Sequence, residues 1–151
     1  MKKLFLLLLC IAILGACKSK PSAPKIAKLE LSEVSPSQKN RAYELGKRVL
    51  NACNTSKFKP FTKEEATEKV IQNVTLDKLS STCRKFSIKY GKFEDIRLVE
   101  VIKNKADESL IFRYKADYQR KFAQKELQVT LDKENKVSSI RSTDWSDVYV
   151  P

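Results

Sequence analysis

Leu110-Ile111-Phe112-Arg113-Tyr114-Lys115-Ala116-Asp117-Tyr118 alternates without a fault, with Leu110, Phe112, Tyr114, Ala116 and Tyr118 on one side and Ile111, Arg113, Lys115 and Asp117 on the other. A period of two over this length is a strand with one face for a core and one for water. Downstream, Phe122 to Asp132 repeats the pattern, with Leu127, Val129 and Leu131 inward and Glu126, Gln128 and Thr130 outward. Asp132 to Lys136 then reads as a turn and Val137 to Trp145 as the last strand. Upstream, Asp95 to Asn104 (DIRLVEVIKN) is β-rich but alternates imperfectly, which predicts a bulge or a strand covered on both faces.

Before Gly91 the period is helical. Ala42, Leu45, Val49 and Cys53 recur at three- and four-residue spacing, which predicts an amphipathic helix over Lys39 to Thr55. Thr62 with Glu65 has the spacing of a capping box, followed by Ala66, Val70 and Val74 in a short second helix. Thr75 caps a third, in which Leu76, Leu79, Cys83, Phe86 and Tyr90 share one face and Gly91 ends the run. Helices followed by an antiparallel meander make an α+β chain, and a sheet with one apolar face needs a cover that only the helices can supply. The expected architecture is three N-terminal helices packed on a curved antiparallel sheet of about four strands, in one domain over residues 39–151.

Composition narrows the chemistry. The chain has 151 residues, 30 Lys+Arg against 18 Asp+Glu, a formal charge of +12, three glycines and no histidine. Without imidazole there is no Ser-His-Asp triad, Cys-His dyad or histidine-built metal site. Three isolated glycines make neither a phosphate loop nor a dinucleotide fingerprint. No catalytic residue, metal site or cofactor is expected, and the chain reads as a non-enzyme.

Lys2 and Lys3 precede an unbroken apolar run, Leu4 to Leu14, shorter than the roughly 20 residues of a membrane span. Leu14-Gly15-Ala16-Cys17 closes it and resembles the bacterial lipobox. The resemblance implies a lipoprotein signal peptide over 1–16, a diacylglycerol thioether on Cys17 and acylation, palmitate included, of the new terminus. Several acyl chains exceed the two signals that stable anchoring needs, so the mature protein would be fixed to a membrane. Lys18 after the cysteine, by the same resemblance, points to the cell outer membrane, facing either the periplasm or the cell surface. Residues 17–38 hold three prolines and several serines without sustained apolar periodicity, the composition of a disordered tether.

The element order, with Tyr90-Gly91-Lys92-Phe93-Glu94 passing from helix to strand and the Leu127 to Ile140 hairpin, resembles the nuclear-transport-factor-2-like (cystatin-like) cone. Such cones host isomerases, ligand carriers and plain interaction domains, so the resemblance implies a fold and no particular activity. If the cone is open, Tyr90, Phe112, Tyr114 and Tyr118 are the candidates to line it. An enzyme or small-ligand carrier would use that cavity, with Tyr114 or Tyr118 as donor. Cys53 and Cys83 sit on core-facing stripes and, in an oxidising envelope, form either a disulfide or two buried thiols.

Loss of Lys2 and Lys3 with the signal lowers the basic count from 30 to 28 against 18 acids, leaving +10. In a cell envelope this charge would meet anionic lipid, lipopolysaccharide or peptidoglycan, or an acidic envelope protein, rather than nucleic acid. The sequence therefore predicts a lipid-anchored binding or interaction module, with an electrostatic adaptor on anionic surfaces as a further reading.

Overall fold

The computed structural model describes residues 25–122 and 124–149. The signal peptide, Cys17 and the first part of the tether lie outside the described residues. The elements are β1 (Ile26–Leu29), α1 (Pro36–Thr55), α2 (Glu68–Asn73), α3 (Leu76–Tyr90), β2 (Phe93–Asn104), β3 (Leu110–Tyr118), β4 (Lys125–Leu131) and β5 (Val137–Asp144). The class is α+β, and the five strands form one antiparallel sheet in the order β1-β2-β3-β4-β5.

The fifth strand corrects the sequence reading. Ile26 pairs with Asn104 and Leu29 with Val101, so the fold begins inside the stretch expected to be a tether. Four residues among prolines and serines carry no periodicity of their own. They are ordered by the open edge of β2, whose backbone groups need partners, and by Leu29, which packs against the core. The first helix also starts earlier than Lys39. Val34 is buried, the Ser35 hydroxyl accepts from the Gln38 N–H, and Pro36 stands in the first turn where its missing N–H costs nothing.

From there α1 lays Ala42, Leu45, Gly46, Val49, Leu50 and Ala52 on the sheet. A Cβ on Gly46 would stand 2.8 Å from Val129 Cγ2 and 2.9 Å from Leu127 Cδ2, inside contact distance. Only glycine lets the helix lie this close to β4.

The predicted start of the second helix is displaced. Thr62 N–H does donate to Glu65 Oε2 at 3.1 Å, but residues 62–66 make only a turn. The Glu65 carboxylate is gripped by Arg48 of α1 through two hydrogen bonds of 2.8 and 2.7 Å. Beside it, Thr67 N–H donates to Val137 O and Val137 N–H to Glu65 O, stitching the segment to β5. Tertiary bonds thus hold Ala66 and the extended Thr67 against β5, and α2 starts only at Glu68. By contrast α3 begins and ends where its caps require, with Thr75 accepting from Lys78 N–H and Gly91 at φ 78°. Cys53 and Cys83 are bonded, S–S 2.05 Å and Cα–Cα 4.7 Å, joining α1 to α3 across a 30-residue separation. β3 has the predicted bounds, β2 carries register shifts at Phe93/Asp95 and Leu98/Glu100, and β4 starts at Lys125 rather than Phe122.

Gly46→Ala should lower stability by about 1–2 kcal/mol, because overpacking against two buried side chains outweighs the ~1 kcal/mol helix-propensity gain. A urea midpoint at or above wild type would show that the sheet yields to α1. The Arg48 guanidinium holds the Glu65 carboxyl well below its ordinary 4.5, at about 2. A lowered folded-state pKa stabilises fully above the unfolded value, and the contribution is lost as pH falls through the folded one. Between pH 4.5 and about 2 the wild type should therefore lose roughly 1–3 kcal/mol more than Glu65→Gln, measured by denaturation at each pH. Parallel curves would remove the clamp's role.

Candidate functional site

Strand β3 and its neighbours give the sheet two different faces. On the helix side, Phe112, Tyr114, Ala116 and Tyr118 meet Leu127, Val129 and Leu131 under α1. Tyr90, Phe112, Tyr114 and Tyr118 are 5, 0, 1 and 4% exposed and fill this core, and none of them lines the apolar groove that the helices leave open. Tyr90 and Tyr118 stack with Phe86 and Phe93, centroids 5.2–6.0 Å apart, as an aromatic cluster at the end of α3. Burial pushes the Tyr114 and Tyr118 hydroxyls up, so both stay protonated. Tyr114 Oη has no hydrogen-bond partner among the described residues. Of the acids near these rings, Asp117 pairs with Arg97 at 2.8 Å and Asp95 takes Tyr43 Oη at 2.8 Å and Lys47 at 3.1 Å. Among the described residues, the acid bonded to a tyrosine is thus Asp95, and its partner is Tyr43 rather than Tyr90, Tyr114 or Tyr118.

The groove lies elsewhere. It has a volume of about 290 Å³, and its walls are Val49 and Leu50 of α1 and Leu79 and Phe86 of α3, over Leu127 and Ile140 of the sheet. The geometry follows from how α3 is fastened. The helix is tied to α1 through the Cys53–Cys83 bond and buries Tyr90 at its far end, while Leu76 is 39% exposed and Leu79 is only half-buried. The stripe at three- and four-residue spacing is thus shared between core and groove. At the rim, Lys78 Nζ donates to Gln72 O at 2.8 Å and to Asn73 Oδ1 at 3.1 Å, fixing the α2–α3 junction. Apolar walls with a few polar rim groups suit an apolar guest and offer no acid–base pair. Among the described residues no group of His, Cys, Asp and Glu is arranged to hold a metal ion.

The opposite face of the sheet holds a buried ionic cluster. Arg113, 1% exposed, donates to Glu126 through Nε and Nη2 at 2.7 Å each, to Glu100 through Nη1, and to Ser146 O at 2.7 Å. Lys28 of β1 reaches Glu100 at 3.0 Å and Gln128 donates to Glu126 at 2.7 Å. Burial alone would raise the Glu126 carboxyl, but the bonds from Arg113 and Gln128 outweigh it and hold the group below its ordinary range. Trp145 lies over the Arg113 guanidinium, 4.7 Å from ring centroid to Cζ, and Tyr149 at 5.5 Å. Glu126 and Gln128 were expected in water, and the chain after β5 buries them. The sequence signal for it is the run of opposite charges at facing positions of paired strands, while Trp145, read as the end of the last strand, lies just past β5, which ends at Asp144. With two cations on two carboxylates, the cluster is neutral and satisfied, a structural feature rather than a reactive one.

Comparison with protein-family models, with curated proteins and with solved structures found no match for the chain.

Tyr114→Phe should leave stability unchanged or raise it by up to about 1 kcal/mol, since it removes a buried hydroxyl that bonds to nothing. A loss larger than that in thermal or urea denaturation would mean that the hydroxyl has a partner.

Proposed function

We propose that this chain is a lipid-anchored protein of the bacterial cell envelope whose groove between α1 and α3 binds a small apolar ligand without transforming it. The observation that carries the binding role is the open groove of about 290 Å³ with apolar walls and a hydrogen-bonded rim. The envelope address rests on Lys2, Lys3, the Leu4 to Leu14 run and Cys17. The Cys53–Cys83 bond supports it, because disulfides persist in oxidising compartments. In this reading Cys17 carries the acyl groups, the membrane is the outer one, and the domain is a variant of the nuclear-transport-factor-2-like cone. Its ligand sits between helices rather than among the core tyrosines.

Two measurements test the proposal. The mature protein from a bacterial host should be heavier than the chain from Cys17 by its acyl groups, and Cys17→Ala should lose both the added mass and the membrane attachment. An unshifted mass defeats the anchor. A medium-chain fatty acid bearing a fluorophore should bind the acyl-free domain and should fail to bind Thr82→Trp, which fills the mouth of the groove from an exposed position. Absent binding to the wild type, or equal binding to the variant with its melting temperature unchanged, defeats the groove.

A further inference from the structure

One end of the domain combines exposed apolar side chains with a cluster of cations that outnumber their acidic neighbours among the described residues. Ile88 on α3 is 70% exposed and Phe122 in the β3–β4 turn is 66% exposed. They belong to one bonded unit. Arg120 Nη1 donates to Ile88 O at 2.7 Å, Arg120 N–H donates to Tyr90 O at 2.9 Å, and the Phe122 ring lies 5.8 Å from that of Tyr90. Gln119 N–H donates to Lys92 O at 2.9 Å, tying the turn to the start of β2 as well. Arg84, Lys85 and Lys89 stand within about one turn of Ile88 on α3, Lys92 follows the helix end, and Arg120 and Lys121 precede Phe122, all exposed. Of these six, only Lys121 has a carboxylate within salt-bridge distance among the described residues, that of Glu94. The single acid of α3, Asp77, stands in its first turn at the other end of the helix.

We propose that this end of the domain, built from the last turns of α3 and the β3–β4 turn, docks on the surface of an anionic phospholipid bilayer. The lysines and arginines would gather at the headgroups while Ile88 and Phe122 enter the boundary with the acyl chains. The pairing of features selects this partner. A protein interface buries a contiguous apolar centre from which lysine is depleted, whereas here two separate apolar side chains stand in a lysine-rich ring. A soluble polyanion would engage the cations and leave Ile88 and Phe122 without a role. The docking end is distinct from the groove and does not depend on a ligand there.

The test uses the acyl-free chain from Lys18 onward, which contains every element of the fold, with vesicles of phosphatidylcholine alone or mixed with phosphatidylglycerol. Co-sedimentation should show binding to the mixed vesicles only, weakening at least about tenfold as the salt rises from low to physiological. Ile88→Ser with Phe122→Ser should weaken that binding by about tenfold, and Lys85→Glu with Lys89→Glu should abolish it, each variant being compared at a temperature where its melting curve shows it fully folded, since Phe122 and Lys89 touch the Tyr90 ring. Absence of binding at low salt overturns the proposal. So does equal binding to neutral vesicles, or an Ile88→Ser, Phe122→Ser protein that binds as the wild type does, since charge alone would then account for the contact.

Discussion

The contact between α1 and β4 at Gly46 sets the position of everything built on the helix side of the sheet. Because a hydrogen stands where any other residue has a carbon, the helix axis lies close enough for Val129 and Leu127 to pack against its backbone. Arg48, two residues on, is then in reach of Glu65 and pins residues 62–67 against β5. Cys53, near the helix end, is in reach of Cys83 and fixes α3. The groove is the space remaining when one helix is sunk into the sheet and its neighbour is held to it by a covalent bond. Its width therefore follows from a missing methyl group as much as from the residues that line it.

The two faces of the sheet treat polarity in opposite ways, and that contrast separates structure from function. On the outer face, Arg113, Glu126, Glu100 and Lys28 satisfy one another under Trp145 and Tyr149, so burial of charge is offset locally. On the helix face the opposite holds, for apolar surface is left facing an open groove without a cover among the described residues. Paired charge marks the outer face, and unspent apolar surface marks the groove.

Elements whose order is local were legible in the sequence. β3 alternates over its whole length, and α3 carries Thr75 and Gly91 at its ends, so both have the predicted bounds. Elements ordered by distant partners were not. β1 is four residues that become a strand only beside β2, and the Thr62–Glu65 turn leads to β5 rather than into a helix because Glu65 and Thr67 bond to Val137. The same division governs the sites. The cysteine stripes could be read as facing inward, yet the gap between α1 and α3 depends on how deeply each helix sits, which no periodicity records. Tyr114 and Tyr118 lie on the predicted face, and the core simply closes over them.

The sheet is a meander in which β2 to β5 each pair with the neighbour in sequence, while β1 pairs across the whole helical segment. Hairpin pairings close short loops and form early, and the β1–β2 pairing carries the closure entropy of all three helices. The strand that is synthesised first therefore waits unpaired until all three helices and β2 have followed it. Until Val101 to Asn104 have been made and placed, Ile26 to Leu29 have no template. The N-terminal edge of the sheet thus takes its order from a strand some seventy residues away, and a change at Val101 to Asn104 would be felt first at the other end of the domain.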